Sequence, residues 1–443
     1  MQRIYKKIVK HFDVLHIMIK DFWVQNYFSI KEKQSLSFAA KSNDDVLAVE
    51  IVPGVFLNKL GVLYGSNASG KSNILFAIQN VFDILFSPRF DIADKVLSGP
   101  AFELTKDEPI KMHVSFYADS ILYEYDVEYF KEYILKEQLY YYPNNSKALF
   151  YERNYQGGNK QASIKLGNSL NISAQTRNAL IENTLNNHSV LSTYRKISFK
   201  SDIQKIAVLY KWIEEHVHEI NGDKQQDVIL ELKSIIDNKR KYEFYLEMLK
   251  KADLNISGFK YITQKKVLSK GFKEYIQRRT DLNEETKQKI LNEPEKDVLF
   301  KNQSNEGDFD VSRRYQSNGT MKYLEILDSL YSMLTSDHIC LFDELEEKLH
   351  YDLLLYILNV FLYNTTHSQL IFTTQELLLL SEDLLNEHRD VVWFVEKSHE
   401  TASSEYTRAD SYGLHKNLSL FNSYKIGRLG AKPQLGSPFI SLN

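Results

Sequence analysis

The run Gly65-Ser66-Asn67-Ala68-Ser69-Gly70-Lys71-Ser72 constrains the fold of this chain more than any other feature. It fits the pattern G-x-x-x-x-G-K-[ST]. Strand-like GVLY runs into it, and helix-periodic NILFAIQNVFDILF follows it. Strand, glycine loop and helix in that order is the context such a loop needs. Its glycines let backbone N–H groups face phosphate oxygens, and the helix aims its positive end at the same anion. Lys71 is then expected to reach the β- and γ-phosphates of ATP, and the Ser72 hydroxyl to ligate Mg2+. The expected nucleotide-binding residues run from Gly65 to Asn73. A chance glycine turn explains neither flank.

Composition supports a packed α/β chain. Of 443 residues, 43% are hydrophobic and 26% charged, enough to bury a core. Glycine (17) and proline (8) are scarce; average usage of about 7% and 5% would give roughly 30 and 22. Collagen-like, linker-rich and loop-heavy β architectures are thereby disfavoured. The net charge of −3 gives no global sign of a nucleic-acid or anionic-membrane binder. A single cysteine, Cys340, leaves no internal disulfide and no cysteine-rich zinc site. The basic, then apolar start is interrupted by Asp13, His16, Lys20 and Asp21, so no secretory leader is expected. The longest apolar stretch, 353–363, is too short to span a bilayer. A soluble, cytoplasmic protein is expected.

Pattern along the chain predicts a split domain. Short alternating runs over 15–65 and 109–154 read as strands, the second set as an antiparallel meander. From about 175 to 293, apolar residues at three- and four-residue steps predict helices, among them 202–220 and 227–251. The α/β pattern returns near 295. Expected boundaries are 1–174 for the first half of a nucleotide-binding domain, 175–293 for a helical insertion, and 294–443 for the second half. The fold class is α/β: a mixed-sheet P-loop core, an antiparallel meander and a helical insertion.

Two further motifs carry chemistry. Ile339-Cys340-Leu341-Phe342 reads as a strand buried on both faces, with Asp343-Glu344 at its end. Phosphoryl transfer to water needs one carboxylate in the magnesium shell and one to activate the water; these roles fall to Asp343 and Glu344. Ser317-Asn318-Gly319-Thr320 precedes a helical stretch. By itself it is an ordinary helix cap.

The order of these pieces resembles the ABC-type ATPases, in the branch of the SMC, Rad50 and RecF proteins. That resemblance implies that Ser317, Asn318, Gly319 and Thr320 of one copy complete the nucleotide site of another, with two ATP molecules held between two heads. A closer resemblance is to the AAA-family ATPases of bacterial abortive-infection and anti-phage systems, of the AbiL and PARIS types. It rests on FWVQNYFSIKEKQSLSF, YGSNASGKSN, YILKEQLYYYP with FYERN, QSNGTMKYL, FDELEEKLH and the tail YKIGRLGAKP. It spans nearly the whole chain and is weakest in the insertion. It implies a homodimer or higher oligomer and a separately encoded effector.

One position departs from the family. Gln375 follows QLIFTT where the family carries histidine. Its amide can bond a phosphate but cannot carry a proton at neutral pH, so slow hydrolysis is expected, with Glu344 and Gln375 as the catalytic pair. His350 has two readings, an interface residue near nucleotide or a half-buried helix-start histidine. His11, His16, His216 and His218 form no metal-like group. The stretch after Lys397 reads as too short for a fused nuclease, so any toxic chemistry is expected in a partner chain. A DNA-repair ATPase that binds nucleic acid, and an ATP-bound scaffold with little hydrolysis, stay open as alternatives.

Overall fold

The structure, a computed structural model, describes residues 17–440 apart from 44–45, 92, 97–98, 158–161, 171, 266–267, 416, 434–435 and most of 197–227. The helix expected over 202–220 and the four histidines just named lie outside the described residues, except for Leu209, Ile213 and Val217. Two compact units emerge. The chain leaves the first after Gly222 and returns to it at Ser332, with 348–353 belonging to the second.

The first unit carries two large sheets. Strands β1 (Ile17–Gln25), β2 (Gln34–Ser37), β6 (Ile110–Ala118), β7 (Ile121–Tyr129), β8 (Ile134–Tyr141), β9 (Ala148–Asn154) and β10 (Ser163–Leu166) form an antiparallel sheet in the order β10-β9-β8-β7-β6-β1-β2. A small hairpin pairs β3 (Ala48–Val52) with β4 (Val55–Asn58). Strands β5 (Leu60–Gly65), β14 (Ile339–Phe342), β15 (Gln369–Thr374), β16 (Val392–Lys397) and β17 (Ser404–Arg408) form the second sheet, ordered β14-β15-β5-β16-β17. Its first four members are parallel and β17 runs against them. Every residue of β5, β14 and β15 is buried, as expected of parallel strands covered on both faces.

Helix α1 (Lys71–Phe86) is apolar almost all round, the mark of a core helix. Ile74, Leu75, Ile78 and Phe82 join one continuous core with Val114 and Phe116 of β6 and with Leu341, Ile371 and Trp393 of the parallel strands. Two buried polar side chains tie this core together. The Gln369 amide receives the Ile19 N–H at 2.9 Å and donates to the carbonyls of Ile19 and Asn58, satisfying backbone where β1 changes register. Lys59 donates to the carbonyls of Leu362 and Thr365, at the C-terminal end of the helix Tyr351–Asn364. Helices α2 (Ala174–Asn183) and α3 (Val190–Lys196) complete the unit's described helices before residue 197.

The second unit contains α4 (Val228–Asp237), α5 (Lys239–Lys251), α6 (Lys270–Arg278), α7 (Glu284–Asn292) and the start of α8 (Asn318–Thr335). It also contains a sheet. Strands β11 (Ile256–Gln264), β12 (Glu295–Asn302) and β13 (Phe309–Ser312) pair antiparallel in that order. The stretch 175–293 is therefore not wholly helical. ISGFKYITQ is a strand because its partner β12 lies some forty residues on, information that no local window holds. The Tyr245 hydroxyl donates to Asp328 at 3.2 Å and that of Tyr323 to the Met248 carbonyl at 3.1 Å, joining α5 to α8. Among the described residues, no helix is long and apolar enough to cross a membrane.

Candidate active site

Buried β5 delivers the chain into the loop, and α1 begins at Lys71. Gly70 has φ +105°, and a Cβ there would collide with the hydroxyls of Ser404 and Ser29. A Cβ on Gly65 would come within 2.5 Å of the Val395 carbonyl and the Ser69 hydroxyl. Only glycine fits either position. The loop is then held from behind. Ser404 Oγ donates to the Ser69 carbonyl and the Tyr406 hydroxyl to the Gly70 carbonyl, both at 2.6 Å. Ser29 Oγ lies 2.7 Å from Ser404 Oγ and accepts from the Asn73 amide at 2.7 Å. The Ser66 N–H reaches the Ala431 carbonyl.

These bonds orient the loop. A planar trans peptide points its N–H opposite its C=O. Anchoring the carbonyls of Ser69 and Gly70 on β17 therefore turns the N–H groups of Gly70 and Lys71 away from that strand. Burial pushes the Tyr406 phenol far above its ordinary range, so it remains a donor at any working pH. Lys71 is 5% exposed and donates to the carbonyls of Gly65 (2.9 Å) and Ser66 (3.0 Å). Burial lowers its pKa, while Glu344, Asp343 and Glu346 pull it back up. Residues Asn67 to Asn73 line a cavity of about 190 Å³ together with Ser29, Glu344 and Lys397. A wider cleft of about 1210 Å³ runs past Gly65–Ser69 and includes Gln375 and Lys432.

Opposite β17, the end of β15 clasps carboxylates. Thr373 Oγ1 donates to Asp343 Oδ1 at 2.6 Å and receives the Glu344 N–H at 2.7 Å. Gln375 Nε2 donates to Glu344 Oε1 at 2.8 Å. The Gln375 backbone N–H donates to Glu346 Oε1 at 2.6 Å. Glu344 holds φ +48°, an uncommon left-handed conformation for glutamate, at the turn that ends β14. Burial raises the Glu346 carboxyl above the usual range, and the bond from Gln375 opposes that rise.

The residues suit Mg2+. Asp343 keeps one oxygen clear of the Thr373 bond, and Ser72 lines the cavity of about 190 Å³. A magnesium ion typically takes one or two protein oxygens and completes its shell with water and phosphate. Among the described residues, no group of three or more His, Cys, Asp and Glu side chains suited to a metal occurs.

The structure thus brings together the loop, Asp343, Glu344 and Gln375. The run Ser317-Asn318-Gly319-Thr320 lies in the second unit. Ser317 Oγ accepts the Thr320 N–H at 3.0 Å and lies 2.8 Å from Thr320 Oγ1, a capping arrangement at the start of α8. Ser317 and Asn318 are exposed, whereas Thr320 is buried. A Cβ on Gly319 would meet the Lys348 carbonyl at 2.8 Å, so the close approach there is to this chain's own backbone. His350 begins the helix α9 (Tyr351–Asn364), and its Nδ1 receives the Asp352 N–H at 3.2 Å. It is exposed rather than half-buried.

Sequence reasoning missed Ser404, Tyr406 and Glu346. Ser404 and Tyr406 carry no local signal, being more than three hundred residues from the loop they hold. Glu346 did carry one, since it stands two residues after Glu344 in FDELEEKLH. Ser29 and Ala431 fall within two runs that carried the family resemblance, and their contacts give those runs a physical role.

A family model described as "AAA domain, putative AbiEii toxin, Type IV TA system" matches residues 60–381. No curated protein matches the sequence. Among solved structures, the SMC head domain from Thermotoga maritima is similar at 14% identity, over 88% of this chain and 98% of that one, with a TM-score of 0.37. An SMC head bound to the C-winged helix domain of ScpA is similar at 12% identity, over 92% and 99%, with a TM-score of 0.39. A third, an Smc head with an extended coiled coil bound to the C-terminal domain of ScpA derived from Pyrococcus furiosus, gives 12% identity, 93% and 98% coverage and a TM-score of 0.35.

Proposed function

The chain belongs to this AAA-domain family, and on that premise we propose that it is an ATPase that hydrolyses ATP slowly and uses the nucleotide to control a separate effector. One observation carries the catalytic part of the reading. Lys71, Ser72 and the water-activating candidate Glu344 line the same small cavity.

In this reading, backbone N–H groups of the loop and Lys71 bind the β- and γ-phosphates. Ser72 and Asp343 would hold Mg2+, which would neutralise charge on the transferring phosphoryl group. Glu344 takes the proton of a water as that water attacks the γ-phosphorus; the bond to the bridging oxygen breaks and ADP and phosphate leave. Gln375 holds Glu344 through the 2.8 Å bond but supplies no proton of its own.

Two copies sandwich two ATP molecules. The exposed Ser317 and Asn318 of each reach the nucleotide bound by the other, with the positive end of α8 behind them. The family's description names a type IV toxin–antitoxin system, which supports a role in defence against phage through a partner protein. The test is sedimentation of Glu344→Gln with and without ATP and Mg2+. An ATP-dependent dimer that Ser317→Arg abolishes is the expected result. A sedimentation coefficient indifferent to ATP overturns the sandwich.

A further inference from the structure

We propose that Glu346 is a positioning residue that docks Gln375 onto the water-activating carboxylate of Glu344. The inference rests on the ATPase reading above and adds to it a residue with a defined role.

The geometry is a relay of two hydrogen bonds through one residue. The Gln375 backbone N–H donates to Glu346 Oε1 at 2.6 Å, and the Gln375 side-chain amide donates to Glu344 Oε1 at 2.8 Å. Gln375 is exposed and is the first residue beyond β15, so no pairing within the sheet fixes its backbone. Glu346 supplies that restraint from the turn after β14. Its position is itself set, because Glu344 enters the turn at φ +48° and the Glu347 N–H closes back on the Glu344 carbonyl at 2.9 Å. Leu345 between them is buried and its N–H bonds the Thr373 carbonyl, which ties the turn to β15 from the other side. The two strand ends thus hold each other, with Gln375 meeting Glu346 through its backbone N–H and Glu344 through its side-chain amide.

The burial that raises the Glu346 carboxyl is a cost, and Glu346 is not among the residues that line the small cavity; it acts on Lys71 there only as a nearby negative charge. A carboxylate kept half-buried against the Gln375 N–H and beside the Thr374 hydroxyl is accounted for by what that N–H carries.

The test is single-turnover hydrolysis on the full chain, with ATP affinity measured in parallel. Glu346→Ala should lower the rate of the chemical step about tenfold or more, the scale expected when a reacting group is misplaced. ATP affinity should stay within a factor of about two, because the cradle on β17 is untouched. Glu346→Gln keeps an acceptor oxygen and should recover most of the rate. In a Gln375→Ala background, Glu346→Ala should cost nothing further, since the residue it positions is gone. An additive loss in that background, a fall in affinity matching the fall in rate, or no rescue by Glu346→Gln would each overturn the proposal. Absence of Lys71-dependent hydrolysis in the unmodified chain would instead overturn the ATPase reading and this proposal with it.

Discussion

The two sides of the P-loop strand are built from different chemistry. Towards β17, the loop is held by hydroxyls: Ser29, Ser404 and Tyr406 secure its carbonyls and the Asn73 amide. Towards β15, Thr373 and Gln375 hold carboxylates, those of Asp343, Glu344 and Glu346. Neutral hydroxyl bonds carry no charge that titrates near neutral pH. Charged, partly exposed groups can shift and exchange protons. The contrast teaches that binding and hydrolysis are served by separable supports, so variants on the two sides should fail in different measurements.

Glu344→Gln should break the contrast most strongly on the β15 side. Loss of a general base predicts a fall in turnover of about 10²–10⁴-fold with ATP affinity retained, read by phosphate release and fluorescent-nucleotide titration. Tyr406→Phe tests the other side. It removes the hydroxyl on the Gly70 carbonyl and should weaken ATP binding about five- to tenfold, the worth of one hydrogen bond of roughly 1–1.5 kcal/mol, with the chemical step unchanged. Gln375→His should raise turnover severalfold by restoring a protonatable group; equal rates for the two proteins would contradict the assigned cause of slow hydrolysis.

The smallest effect lies away from both sides and serves as a control. Burial, helped by the nearby cations Lys196, Arg153 and Arg89, lowers the pKa of His188 from 6.5 to about 3. A folded-state pKa below the unfolded one gives stability that is complete above about pH 6.5 and is lost as pH falls towards 3. His188→Gln should flatten that dependence in thermal melts between pH 7 and pH 5 and leave ATP affinity at pH 7.5 unchanged.

How much of this was legible beforehand follows from contact distance along the chain. The loop from Gly65 to Ser72 and the strand ending in Asp343-Glu344 could be read directly, because each motif needs only its own neighbours. Gln375 could be singled out by its place after QLIFTT, but its bond to Glu344 could not. Ser404 and Tyr406 sit in an ordinary short strand, and only the pairing of β17 beside β16 brings them under the loop. β11 was hidden for the same reason, its partner lying outside the stretch that reads as helical. Gly319 could be singled out by its place before a helix, but its closeness to the Lys348 carbonyl could not.

The most direct test of the central claim compares Lys71→Ala and Glu344→Gln in the same two assays. The account predicts that Lys71→Ala neither binds ATP tightly nor hydrolyses it, while Glu344→Gln binds at the unmodified affinity without turnover. A Lys71→Ala protein that binds and hydrolyses ATP like the unmodified chain would contradict it.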